Sequence, residues 1–151
     1  MLAALRTEFG LDRAMPPLAP PVPPLSDGTV ALRGFESTDV PAIVDAAGHD
    51  ELLGSIALNP VVWEQRAADV GYWVAAHARG RGVATRAVRM LTDWAFGTLL
   101  LERLELRTQR DNHASQAVAA HAGFEPVASP VVRRPECEHL ADVFFARVRG
   151  E

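Results

Sequence analysis

The sequence predicts a single α/β domain with a mixed sheet and helices packed on its faces. The chain has 151 residues, which suits one domain of ordinary size with a single core. Hydrophobic residues make up 48% of it and charged residues 23%, a balance typical of globular proteins. Segments of alternating polarity are interspersed with segments of helical periodicity, and this pattern predicts strands and helices within one fold.

The N-terminal 24 residues differ in composition from the rest of the chain. Residues 1–15 carry a weak helical pattern interrupted by charged residues, which argues against a secretory signal. Six prolines follow between Pro16 and Pro24, and proline fixes φ and lacks a backbone donor. We therefore predict that residues 1–24 form a Pro-rich, flexible extension and that residues 25–151 form the domain. Two alternatives stay open: a motif for a proline-binding domain, and a translation start at Met15.

The first half of the domain is predicted to contain two strands and one helix. Residues 29–33 alternate apolar and polar side chains, which is typical of a half-buried strand. Residues 37–39 supply Ser, Thr and Asp as caps for a helix over 40–47. Residues 51–58 form the second predicted strand, and Asn59-Pro60 is expected to end it.

The middle of the domain contains the clearest helix. Residues 70–75 are rich in aromatic and β-branched side chains and predict a strand. A glycine- and arginine-rich turn at 79–82 leads directly into a helix that ends at Gly97. Apolar residues recur on one face of this helix at 3.6-residue spacing: Val83, Ala87, Val88, Leu91, Trp94 and Ala95.

The last part of the chain adds one helix and three strands. Residues 103–108 alternate as a strand, and Asp111-Asn112 caps a predicted helix over 114–122. Two further strands are predicted over 126–133 and 140–149. The order of elements predicts a mixed sheet covered by helices.

The residues that indicate a ligand-binding site lie in the turn before the long helix. Gly80 and Gly82 lack Cβ atoms, so an anion can approach the backbone closely. The N–H groups at the start of a helix, together with the helix dipole, favour negative charge. Three arginines add positive charge: Arg79, Arg81 and Arg86. The turn therefore indicates a site for a pyrophosphate-bearing ligand, although the glycines and arginines alone are equally typical of a structural turn.

Two common nucleotide-binding motifs do not fit this turn. All fifteen positively charged residues are arginine, so the chain lacks the lysine that a P-loop requires. The dinucleotide fingerprint Gly-x-Gly-x-x-Gly has only its first two glycines here, because Thr85 occupies the third position.

The residues around the turn resemble those of a known family. Arg79-x-x-Gly82-x-Ala84 is similar to the loop that binds the acetyl-CoA pyrophosphate in the GCN5-related N-acetyltransferases (GNAT). Tyr72-Trp73-Val74, just before it, resembles the fourth strand of that family. The resemblance therefore implies an acyl-CoA N-acyltransferase fold.

A second block of residues extends the resemblance. Residues 103–106 resemble the fifth strand of the family, and Asn112-x-x-Ser115 with Gly123-Phe124 follows as it does there. Together the blocks are similar to the RimJ/RimL-like branch, which acetylates protein N-termini and various small amines. The resemblance covers residues 51–145 well and residues 29–47 moderately.

The resemblance implies which residues bind acetyl-CoA. The pantetheine arm is expected between the fourth and fifth strands, and the pyrophosphate at the amides of residues 81–85. Asn112 is expected to hydrogen-bond the pantetheine arm. The expected cofactor-binding residues are Tyr72, Trp73, Val74, Arg79, Gly80, Arg81, Gly82, Val83, Ala84, Thr85, Asn112 and Ser115. No spacing of His, Cys and Asp suggests a metal, and none is expected.

Two catalytic residues follow from the same resemblance. Ser115 is expected to act as general acid for the departing thiolate, and Glu105 aligns with a glutamate that serves as base in related enzymes. Each has a structural alternative. Ser115 is also explained as a helix-start serine bonded to the backbone. Glu105 alternates with Leu104 and Leu106, so it is also explained as a surface glutamate on a half-exposed strand.

The implied activity is acetyl-CoA-dependent transfer of an acetyl group to a primary amine, on a protein N-terminus or a small molecule, in a ternary complex. The first-helix and second-strand region of the family is reduced here, because Asp50 leads almost directly into the strand at 51–58. This reduction is expected to thin the acceptor wall and to favour a homodimer. The alternative is a non-catalytic acyl-CoA-binding domain that acts as a sensor or partner module.

The composition of the chain limits which partners and which cellular location we expect for the protein. The formal net charge of −4, with no helix that collects arginine on one face, argues against nucleic acid. No stretch approaches the roughly 18 apolar residues that a membrane span needs. Cys137 is the single cysteine and stands among acidic neighbours, which fits a reducing compartment and argues against a nucleophile. We therefore expect a cytoplasmic protein whose partner is an amine acceptor, with no nucleic acid or membrane partner.

Overall fold

The computed structural model describes residues 19–34, 53–133 and 143–150. Three predictions fall outside these ranges: the helical pattern at 1–15, the helix at 40–47 and the surroundings of Cys137. The described part of the proline run, residues 19–24, contains neither helix nor strand, as predicted. Among the described helices, none is long and apolar enough to cross a membrane.

The described residues form seven strands, two helices and two short 3₁₀ turns. In chain order the strands and helices are β1 (Leu25–Ser26), β2 (Ala31–Leu32), β3 (Gly54–Val62), β4 (Ala67–Val74), α1 (Val83–Gly97), β5 (Arg103–Thr108), α2 (His113–His121), β6 (Glu125–Val127) and β7 (Val143–Val148). The 3₁₀ turns, Trp63–Gln65 and Ala76–Ala78, follow β3 and β4.

Five of the strands form one mixed sheet. Their order across the sheet is β3-β4-β5-β7-β6, while β1 and β2 pair separately as a small antiparallel hairpin. Only β4 and β5 run parallel, and the other neighbours are antiparallel. A parallel pair needs a crossover, and α1 lies within the connection between β4 and β5. The predicted α/β class with a mixed sheet is confirmed.

The core lies between the sheet and the two helices. On α1 the predicted apolar face is buried except for the half-buried Trp94, and Leu91 at its centre is 1% exposed. Thr92 is also buried on this helix, and its hydroxyl donates to the carbonyl of Val88 at 2.7 Å. Opposite the helix, β3, β4 and β5 contribute alternate residues to the core, among them Ile56 and Leu104.

Three strand predictions need correction. Asn59-Pro60 does not end the second predicted strand, because β3 continues to Val62 through a register irregularity between Leu58 and Val61. Such an irregularity leaves a residue outside the ladder, so the missing proline N–H costs little there. The strand at 29–33 shrinks to Ala31–Leu32, and the strand at 126–133 shrinks to Glu125–Val127.

The parallel pair β4–β5 holds together only at one end. Their register joins Ala67 to Arg103, Ala68 to Leu104 and Asp69 to Glu105. Beyond Asp69 the two strands separate, although β4 runs on to Val74 and β5 to Thr108. We call the point of separation the fork.

Candidate active site

A cleft of about 960 Å³ opens at the fork. Its walls are the separated ends of β4 and β5, the turn before α1, the first turn of α1 and the start of α2. A volume of this size lies at the upper end of the range for small-molecule and cofactor sites. Most of the predicted cofactor-binding residues line this cleft: Tyr72, Trp73, Val74, Arg79, Gly80, Gly82, Val83, Ala84, Thr85, Asn112 and Ser115. Arg81 lies on the exposed surface of the same turn.

The start of α1 presents backbone donors to this cleft. Gly80 and Gly82 adopt φ of 71° and 72°, in the left-handed region that glycine tolerates best. Gly82 is the N-cap, its carbonyl accepts the N–H of Arg86 at 3.1 Å, and no side chain caps the helix. The first N–H groups of α1 therefore remain available to a ligand. A Cβ added at either glycine would meet nothing within 4 Å, so there is room for an anion in front of them.

Two of the three arginines near the start of α1, Arg79 and Arg86, bond to other parts of the chain, whereas Arg81 has no such bond within the described residues. Arg86 pairs with Asp27 of the β1–β2 turn at 2.8 Å. The backbone N–H of Val30 and then Arg86 hold the pKa of Asp27 down at about 2. Arg79 donates to the carbonyl of Val74 at 3.1 Å and so braces the end of β4. Arg81 therefore carries the charge that is least committed to other described residues at this turn.

Asn112 caps α2 and faces the same cleft. Its Oδ1 accepts the N–H of Ser115 at 3.1 Å, which confirms the predicted cap. The cap occupies the acceptor of the side chain, so the Nδ2 group is the part of Asn112 that can donate to a ligand.

Ser115 contacts Tyr72 across the cleft. The two hydroxyl oxygens lie 2.9 Å apart, and either can be the donor. The helix-start interpretation of Ser115, in which its hydroxyl bonds a backbone group, is therefore wrong. Burial raises the pKa of Tyr72, and the hydrogen bond with Ser115 partly offsets that rise. The sequence analysis expected Tyr72 to bind the cofactor but did not predict its contact with Ser115, because a contact across 43 positions leaves no local sequence signal.

Glu105 does not reach the cleft. It is 1% exposed, and its two carboxylate oxygens accept the N–H groups of Val131 and Val132 at 2.8 and 2.9 Å. Arg103 also donates to Oε1 at 2.7 Å. The surface-glutamate interpretation is wrong because the segment after β6 folds over this face of β5. Its two oxygens are engaged by three donors, and Glu105 is not among the residues that line the cleft.

An ion pair that the sequence did not reveal stands at the fork. Asp69, 2% exposed, accepts from Nε of Arg107 at 3.3 Å, and both residues line the cleft. Arg107 also donates to the carbonyl of Val132. Both side chains lie on the sheet face opposite the helices, since they alternate with the core residues of β4 and β5. In the described ranges no three His, Cys, Asp or Glu residues are grouped as a metal site.

The comparison with known families agrees with this geometry. The profile of the acetyltransferase (GNAT) domain matches residues 27–125 of the chain. The chain belongs to the GNAT acetyltransferase family. The matched region contains the whole glycine turn, the fork and the contact between Tyr72 and Ser115.

Individual relatives named as acetyltransferases match about half of the chain. The "Putative ribosomal N-acetyltransferase YdaF" of Bacillus subtilis (strain 168) is 37% identical over 73 residues, which cover 48% of this chain and 40% of that protein. The "Ribosomal-protein-serine acetyltransferase" of Escherichia coli (strain K12) is 31% identical over 75 residues, or 50% and 42% of the two chains. The matches therefore span less than half the length of these relatives.

Solved structures of acetyltransferases share the fold. A crystal structure named "Probable acetyltransferase" is 27% identical, with a TM-score of 0.55 over 67% of this chain and 58% of that one. The ribosomal L7/L12 alpha-N-protein acetyltransferase RimL, in complex with coenzyme A, has a TM-score of 0.54 at 21% identity, over 63% and 54% of the two chains. At that identity the second likeness supports the fold alone.

Proposed function

We propose that this chain binds acetyl-CoA in the cleft at the fork and transfers its acetyl group to an amine. One observation carries the proposal: two parallel strands separate beside a glycine turn that leads to an uncapped helix start. An extended ligand with a pyrophosphate at one end fits both features at once.

The two parts of the cleft suit two parts of the ligand. Pairing with β5 stops at Asp69, so the following backbone of β4 can bind the amide-containing pantetheine arm as an added strand. The Nδ2 group of Asn112 supplies a further donor to that arm. The pyrophosphate then lies at the first N–H groups of α1, where the helix dipole favours negative charge.

The reaction needs little covalent work from the protein. The neutral amine attacks the thioester carbonyl, a C–N bond forms and the C–S bond breaks. The amine nitrogen releases one proton to solvent, and the departing thiolate takes up a proton. The chain's own contribution is to align the reactants and to supply that proton from a hydroxyl in the cleft. Ser115 is the residue that we assign to this proton transfer.

The acceptor that we favour is an amine on a protein. Two relatives carry names that refer to ribosomal proteins or the ribosome, and such acceptors are large enough to dock against an open cleft. The homodimer expected from the sequence stays a prediction, and size-exclusion chromatography with light scattering tests it.

Calorimetry of acetyl-CoA binding tests the first step. Gly82→Trp places a large side chain in front of α1 and is expected to abolish binding. The matched control is Gly150→Trp, because Gly150 also has a positive φ and open space around it but lies at the end of the chain described here. Loss of binding in both variants, or in neither while both remain folded, would contradict the proposed cradle.

A second candidate function is a non-catalytic acyl-CoA-binding domain. It is favoured by Glu105, because that predicted base is buried under residues 131–132 and is absent from the cleft lining. A thiol-release assay with a panel of amines and N-terminal peptides separates the two functions. Binding with release supports the transferase, and tight binding without release supports the sensor.

A further inference from the structure

The only tyrosine of the chain stands at the proposed site of thiolate departure. Tyr72 lies on β4, is half-buried, and reaches across the cleft to Ser115 on α2. The 2.9 Å separation of the two hydroxyl oxygens is typical of an O–H···O hydrogen bond. Both residues line the same cleft, so a ligand in it can contact the pair.

A serine hydroxyl alone is a poor match for the required proton transfer. General acids work best when their pKa is close to that of the group they protonate. An aliphatic hydroxyl is a far weaker acid than a thiol, whereas a phenol, at a pKa of about 10, lies within roughly two units of a thiol at about 8.5. Burial raises the pKa of Tyr72 above that ordinary value, but its phenol is still a far stronger acid than the aliphatic hydroxyl of Ser115.

We propose that Tyr72 and Ser115 form a two-hydroxyl relay that protonates the thiolate as it departs from the acetyl group. The proposal deepens the proposed function and rests on it. As the C–S bond breaks, the Ser115 hydroxyl gives its proton to the sulfur, and the Tyr72 hydroxyl gives its proton to the Ser115 oxygen. Tyr72 is left as phenolate and regains a proton from solvent, which receives the one released by the attacking amine.

The relay requires a definite direction of the hydrogen bond. Tyr72 donates to Oγ of Ser115, so the Ser115 proton is directed to the ligand. The phenol is the stronger acid of the two hydroxyls and therefore the better donor, and at an ordinary pKa of about 10 it is protonated at neutral pH. Tyr72 is the single tyrosine of the chain, so β4 supplies the one phenol that can take this role.

Kinetics on single and double variants test the relay. Tyr72→Phe keeps the ring and removes only the hydroxyl, and we expect it to lower kcat by about 10²-fold or more. Ser115→Ala is expected to do the same, and the double variant is expected to be no worse than the poorer single variant because both residues act in one chain. Ser115→Thr, which retains a hydroxyl, is expected to recover most of the rate. Ser129→Ala, an exposed hydroxyl outside the cleft, is the control.

Binding separates a catalytic role from a structural one. The Kd for coenzyme A is expected to change less than about tenfold in Tyr72→Phe, the limit for one hydrogen bond. An unchanged kcat in Tyr72→Phe, or a loss confined to KM and Kd, would overturn the relay and leave the proposed transferase standing. A wild-type protein that binds acetyl-CoA but releases no thiol with any amine would overturn the transferase and the relay together.

A spectroscopic titration tests the contact without any reaction. Because Tyr72 is the only tyrosine, the near-ultraviolet absorbance of tyrosinate reports its pKa directly. Ser115→Ala removes the hydrogen bond that lowers this pKa, so we expect the midpoint to move upward, and Ser115→Thr is expected to restore it. Identical midpoints in wild type and Ser115→Ala would show that the two hydroxyls are not coupled in solution.

Discussion

Replacement of Glu105 tests whether this residue is a structural anchor or a catalytic base. Its carboxylate holds residues 131–132 on β5 through two backbone N–H groups and also accepts from Arg103. We predict that Glu105→Ala lowers the free energy of unfolding by about 2–5 kcal/mol. A base would instead be needed for rate and would contribute little to folding.

The magnitude follows from what each donor loses. Val132 is fully buried, so its N–H would remain without a partner, at a cost of about 1–3 kcal/mol. Val131 is 44% exposed, so water can replace its bond and the loss is about 1 kcal/mol. The side chain of Arg103 is 23% exposed, and its bond to Glu105 is worth about 1 kcal/mol at most. Glu105→Gln keeps one acceptor oxygen and should cost about half as much.

Urea denaturation with linear extrapolation measures the effect. The control is Glu125→Ala, an exposed glutamate on β6 that should change stability by less than about 0.5 kcal/mol. Equal stability of Glu105→Ala and Glu125→Ala would refute the anchor. If Glu105→Gln stays folded but loses acetyl transfer by about 10²-fold or more, the residue is the base after all.

Three further predictions concern the core, the fork and the turn near α1. Leu91 lies at the centre of the buried face of α1, and Leu91→Ala should lower the free energy of unfolding by about 2–5 kcal/mol. The control is Leu100→Ala, which should cost under about 1 kcal/mol because Leu100 is half-exposed. Similar losses in the two variants would show that Leu91 is not in the core. Arg107→Ala leaves Asp69 buried without this ion-pair partner and should lower the free energy of unfolding by about 3–5 kcal/mol, measured by urea denaturation. A loss under about 1 kcal/mol would rule out a buried ion pair. Asp27 has its pKa lowered to about 2, so its contribution to stability is present above its ordinary pKa of 3.8 and is lost as the pH falls towards 2. The stability gap between wild type and Asp27→Asn should therefore close between pH 4 and pH 2 in acid titrations, and a constant gap would contradict the assignment.

Local patterns predicted the elements that depend on neighbouring residues. The apolar face of α1 follows from its 3.6-residue spacing, and the glycine turn before it follows from two residues that tolerate a positive φ. The cap of Asn112 on α2 depends on a residue only three positions away, and it too was predicted correctly.

Local sequence patterns could not predict contacts between segments that are far apart in the chain. The partner of Ser115 lies 43 residues away, and the donors to Glu105 lie 26 and 27 residues away. Periodicity shows which face of β5 Glu105 occupies, but not which segment covers that face. The same limit explains the strand at 126–133, whose last residues leave the sheet to bind Glu105.

The short parallel pairing at the fork has a consequence for thermodynamic linkage. Three residue pairs, from Ala67–Arg103 to Asp69–Glu105, join the β3–β4 part of the sheet to the β5–β7–β6 part. A ligand bound as an added strand between β4 and β5 would extend this short pairing. Its binding energy would therefore also hold the two parts of the sheet together. At a ligand concentration of 100 times Kd this linkage adds about 2.7 kcal/mol to the stability of the native state. With acyl-CoA as the proposed ligand, amide exchange is expected to slow along both β4 and β5, and the folded fraction is expected to rise with the concentration of acyl-CoA.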